Sequence, residues 1–292
     1  MGTGRVWPAE WREFDDRKTG AHVRQLTNYR AHSHHLYFTN PGWYDDNRKL
    51  LFGGDRENHT HLFCIDLDSG EITQLTDLER NANFQSITLN PTRAEATFWY
   101  GRKLTAIDLH TLELRTLWER PEDFRQSMIN CTADGQHVCG SIFEDLSKRM
   151  HIDYGHGYVG FRETSEAKPL SRVFRVPTNG GDCETVWEEQ YWIGHCNTSP
   201  TQAHLLTFCH EGPWAIVDNR IWGLDLNTGK VWTIRERKDP NEIVGHEYWY
   251  ADGERIGYHG ATADKQPYFG RIRWDDTENV EGVSAGETGH IH

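Results

Sequence analysis

The chain has 292 residues, a formal net charge of −13, and 12% aromatic residues that include 12 Trp. So acidic a surface disfavours nucleic acid and an anionic membrane as partners, while leaving room for a local cationic site that takes a small anionic ligand. The aromatic content suits packed strands and argues against a disordered chain. Six cysteines, at 64, 131, 139, 183, 196 and 209, make no CxxC, and Phe63-Cys64 and Phe208-Cys209 sit in apolar runs where Cys acts as a small hydrophobe. No stretch approaches about 18 consecutive apolar residues, and the opening MGTGRVWPAEWREF has no apolar signal core. The expected location is reducing and cytoplasmic.

In chain order, TGAHVRQLTN (19–28) reads as a strand that closes the last unit of a ring. A repeat follows, returning about every 40 residues: an Asx-Pro or Asp-Gly turn, an apolar strand, then a strand ending in Asp-Leu-x-Thr/Ser-Gly. It is clearest at 38–77, 89–119 and 199–236. Short strands at that period predict an all-β fold, a β-propeller, forming one domain over 1–292. The expected blades cover roughly 34–77, 84–119, 128–188, 192–236 and 245–283. Within the third, the insert 144–170 has helix-forming character in its first half. GETGHIH at the end resembles the first strand of a sixth blade, so the expectation is about five blades and a fragment, incomplete at the C-terminus.

Propellers place function where the first strands of successive blades converge, so polar residues at matching places in those strands are the site candidates. His195 in WIGHC and His246 in VGHEYW stand at such places, with GHIH (289–292) after them. His246 is the candidate metal ligand, with Glu247 able to anchor it, because neutral imidazole binds many divalent cations. His195 is the candidate general base, since an ordinary imidazole titrates near working pH. His210 in FCHEGP, Arg56 in GGDRENHTH and His34 in HSHH are candidate substrate contacts, and Arg172 in SRVFRV could clamp a carboxylate. For each, a structural role stays open: a packed or hydrogen-bonded His, a solvated Arg. Gly-rich phosphate loops, GxSxG and HExxH are absent.

Three stretches together carry a family resemblance: HSHHLYFTNPGWYDDNRKLLFGGDR, FCHEGPW with the later DNRIW, and GHEYWYADGERIGYH. The chain resembles the oligogalacturonate lyases, from about residue 5 onward. The resemblance implies a seven-bladed, cytoplasmic propeller that cleaves short unsaturated galacturonides by β-elimination. It further implies a divalent metal, usually manganese, held by three His and one Gln. On this sequence, His246 matches the first His ligand, His195 the base, and Arg172 its partner at the substrate carboxylate. The remaining ligands belong to a Gln-x-x-His-Pro-His segment that is not among these 292 residues. The competing expectations are a non-catalytic TolB-like binding propeller and an inactive fragment of the lyase.

Overall fold

The structure, a computed structural model, describes residues 2–150, 159–214 and 216–284. The GHIH stretch lies outside them. The fold class is the expected one: an all-β chain of successive antiparallel blade sheets, with two compact units, Met1–Thr116 and Leu117–His292.

In the first unit, Lys49–Gly54 and His61–Asp66 form the centre of a six-stranded sheet. Lys103–Asp108, Glu95–Tyr100 and Thr88–Leu89 belong to a four-stranded sheet whose remaining strand is Leu114–Glu119. Apolar residues from both sheets, among them Leu51, Leu62, Phe98 and Ile107, share one buried cluster with Phe84 of the connection between them. The segment expected to complete a distant blade does something else. Arg12–Asp15 and His22–Gln25 pair as a separate hairpin, and Val6–Trp7 adds to the outer edge of the first sheet beside Ile72–Gln74. All four residues of Arg12–Asp15 are exposed, Phe14 among them, while Val23 opposite it is half-buried.

The second unit has three four-stranded meanders. They run Phe124–Cys131, His137–Glu144, Leu170–Pro177, Glu184–Gln190, then Ile193–Thr198, Leu205–His210, Ile221–Asp225, Val231–Arg235, then Ile243–Trp249, Arg255–Ala261, Pro267–Arg273, Val280–Val283. The insert is helical at Phe161–Ala167, in its second half; among the described residues of its first half there is a 3-10 turn at Leu146–Lys148.

The repeated Asp-Leu-x-Thr/Ser-Gly is the turn between third and fourth strands, and its first residue explains why it recurs. The carboxylates of Asp66, Asp108 and Asp225 each accept two backbone N–H bonds, from residues two and three further on, at 2.7–3.1 Å. The fifth place needs a left-handed backbone: Gly70 and Gly229 supply it at φ 79° and 70°, and Leu112 adopts it at φ 64°. Among the described residues no helix is long and apolar enough to cross a membrane.

Candidate active site

The site lies in the second unit, where the first strands of its three sheets carry the same irregularity. In each, two residues stand opposite one. Ser127 and Met128 face Ser141, Gly194 and His195 face Cys209, and His246 and Glu247 face Tyr258. A bulge of this kind breaks the alternation of side chains and re-aims the extra residue. It also corrects the register read from sequence. His195 is matched by Glu247, not by His246, because the shared Gly-His pair sits one place apart in the two bulges. His246 takes a left-handed φ of 54°, a conformation that a non-glycine residue holds only when its surroundings impose it. Its ring lies against Trp214, edge to face at 6.2 Å.

Around His195 the charges are buried and interlocked. Arg220 donates from Nη1 to Glu211 Oε1 at 2.7 Å and from Nε to Glu247 Oε2 at 3.1 Å. His195 Nδ1 lies 3.4 Å from Glu247 Oε1, and its Nε2 lies 3.9 Å from Glu211 Oε2. Glu247 has no solvent exposure, whereas the His195 side chain keeps 15%. Burial works against ionising Glu247, but the Arg220 guanidinium and His195 outweigh it and hold the carboxyl well below the usual range. Glu211 shifts downward for the same reasons, burial opposing and Arg220 prevailing. Two ionised carboxylates therefore flank one imidazole. Gly194 makes room for this arrangement: a Cβ there would come 2.5 Å from Glu211 Oε2 and 2.7 Å from Cys209 Sγ. Gly194→Ala is expected to lower stability by about 1–3 kcal/mol through overpacking, read from urea denaturation.

The side chains of the other candidates have their partners outside this cluster. His210 is 3% exposed and clamped: Nδ1 lies 2.6 Å from Asp218 and Nε2 3.0 Å from Glu189, with Tyr191 stacked at 3.8 Å. Burial opposes its protonation, but Asp218 and Glu189 raise its pKa overall. Arg172 stands on the third strand of its sheet, paired to Glu188 at 2.5 Å and lying over the Phe124 ring. His34 and Arg56 belong to the first unit. His34 Nε2 is 3.1 Å from Asp55, and Arg56 is buried in a two-pronged pair with Glu10 at 2.6 and 3.1 Å, between Trp7, Tyr29 and Phe63. Of the six, His195 is the one inside the Arg220 cluster, and His246 adjoins that cluster through its neighbour Glu247.

Glu211, Arg220 and His259 escaped the sequence reading. A signal was present: Glu211, inside the FCHEGP motif, closely follows an apolar run and Arg220 directly precedes one, so each is a charge at the mouth of a buried run. His259 comes from the strand beside His246, and its Nε2 lies 2.5 Å from His246 Nδ1. Imidazole is a donor type that first-row divalent cations take; two nitrogens on one ion stand about 3 Å apart, so this pair, hydrogen-bonded as it stands, would have to separate to share one.

A bladed all-β chain that sets His195 and Glu247, on bulged first strands, against the buried Arg220 and Glu211 is built as a propeller enzyme is. The family model for oligogalacturonate lyase matches residues 1–267, and the chain belongs to that family. It is 28% identical over 267 residues to an oligogalacturonide lyase of Pectobacterium atrosepticum and 27% identical to an oligogalacturonate lyase of Dickeya dadantii. In both comparisons 88% of this chain is aligned, and the chain spans 66% of the relative's length. A solved oligogalacturonate lyase in complex with manganese superposes with a TM-score of 0.86 at 26% identity, covering 96% of this chain and 74% of that one.

Proposed function

We propose that this chain cleaves short, unsaturated oligogalacturonides by β-elimination, with His195 as the base. The reading rests on one observation above others: a partly exposed imidazole whose Nδ1 lies 3.4 Å from a wholly buried carboxylate, Glu247. Arg220 keeps that carboxylate ionised. An ionised Glu247 favours the proton on Nδ1, which leaves the lone pair on Nε2. Nε2 then takes the proton from C5 of the uronate, the C5–H electron pair forms the 4,5-double bond, and the C4–oxygen bond breaks, its oxygen leaving as a hydroxyl after taking a proton from water. Glu247 would steady the imidazolium that results.

Abstraction at C5 is difficult because the neighbouring carboxylate is already negative. In this proposal Arg172 is the protein cation that meets it, by exchanging its exposed partner Glu188 for substrate. A divalent cation, manganese in the solved relative's complex, would supply further charge neutralisation when bound. His246 and His259 are the residues that would hold it. His210, His34 and Arg56, offered as substrate contacts on sequence grounds, remain proposals of lower rank, since each already has a carboxylate partner.

The test is turnover of unsaturated digalacturonate by the purified chain, with manganese and after chelation. Product formation that requires the metal is expected. Folded, manganese-loaded protein that leaves the disaccharide intact would reject the activity, and equal turnover after chelation would reject the metal's part in it.

A further inference from the structure

We infer that Cys209, His195 and Glu211 form a second cation site, one suited to a thiophilic ion such as Zn2+ or Co2+ rather than to manganese. One donor atom from each residue lies within 4.8 Å of the others. Glu211 Oε2 is 3.7 Å from Cys209 Sγ and 3.9 Å from His195 Nε2. Bonds of about 2.0–2.3 Å at tetrahedral angles separate donors by about 3.3–3.8 Å, which the two separations from Glu211 nearly meet already. Three protein donors of N, S and O type leave a fourth position for water.

The surroundings match a built site. A metal-binding His has its other nitrogen held by a carboxylate, and Glu247 stands 3.4 Å from His195 Nδ1. A metal-binding carboxylate is itself hydrogen-bonded, and Arg220 donates to the second oxygen of Glu211 at 2.7 Å. The backbone N–H of His195 donates to Cys209 Sγ at 3.2 Å, which stabilises sulfur as an acceptor. Gly194 leaves open the space in which Glu211 and Cys209 meet. The charges also balance. Glu211, Glu247 and Arg220 sum to one negative charge. A dication that binds sulfur and releases the thiol proton to water adds one positive charge, so the buried cluster becomes neutral. Softness separates this site from the His246–His259 pair: thiolate selects zinc-like ions, and manganese favours oxygen and nitrogen donors.

This site goes beyond the lyase reading and stands apart from it; only its effect on turnover depends on that reading, because an ion on Nε2 removes the lone pair of the base. The experiment is titration of the full chain with Co2+, followed by absorption. A thiolate-to-cobalt charge-transfer band saturating at one equivalent is expected, displaced by Zn2+ and unaffected by Mn2+. The band should vanish in Cys209→Ala, weaken in Glu211→Gln, and persist in Cys183→Ser, which alters the half-buried cysteine. No band in folded wild-type protein, or a band that survives Cys209→Ala, overturns the site. Should Zn2+ fill the site and leave turnover of unsaturated digalacturonate unchanged, the site holds and His195 is not the base.

Discussion

Replacing Arg220 by methionine is expected to lower the unfolding free energy by about 3–5 kcal/mol. Arg220 is 7% exposed, and its guanidinium is shared by Glu211 and the fully buried Glu247. Methionine fills similar space but leaves two neighbouring carboxylates with no cation between them. Each would then be charged in a poorly solvated place, or would have to take up a proton to remain there. The double variant Arg220→Met with Glu247→Gln should recover part of the loss, since one of the stranded charges is gone. Equilibrium urea denaturation followed by circular dichroism measures both. A loss under about 1 kcal/mol would place Arg220 with exposed ion pairs, and the account of how Glu247 stays ionised would fail with it.

His195→Ala is expected to reduce turnover of unsaturated digalacturonate about 10²- to 10⁴-fold while leaving KM little changed. The imidazole in this mechanism meets the C5 proton only as it transfers, so its loss falls on kcat. His210 is poorly placed to replace it: Asp218 and Glu189 occupy both of its nitrogens, and Tyr191 covers its face. A fully active His195→Ala protein would move proton abstraction to another residue. A large rise in KM at unchanged kcat would instead make His195 a substrate contact. Paired with the Arg220 result, the outcome separates a group that holds the site together from one that acts on the sugar.

What was readable from the chain alone follows from local physics. Asp66, Asp108 and Asp225 announce their turns because a carboxylate capping its own following N–H groups is a short-range device, complete within five residues. The alternating apolar runs between those turns announce strands for the same reason. His195 and His246 were found because each lies at the start of such a run. Their relation to one another was misread, since a bulge adds one residue to a strand and leaves no mark on composition. The helix at Phe161–Ala167 lies in the second half of the insert, where propensity alone does not announce it, because packing settles so short a segment.

The charge cluster belongs to a different level. Glu211 and Arg220 flank a loop, and Glu247 arrives from the next sheet; on paper each is one charge among the 75 Asp, Glu, Lys and Arg side chains of an acidic chain (31 + 44). Strand order and turn chemistry are written in neighbouring residues, so the amino acids announce them directly. The ionised pair around His195 arises because three strands, distant in sequence, exclude water from one place, and a buried charge is tolerated there only beside its opposite.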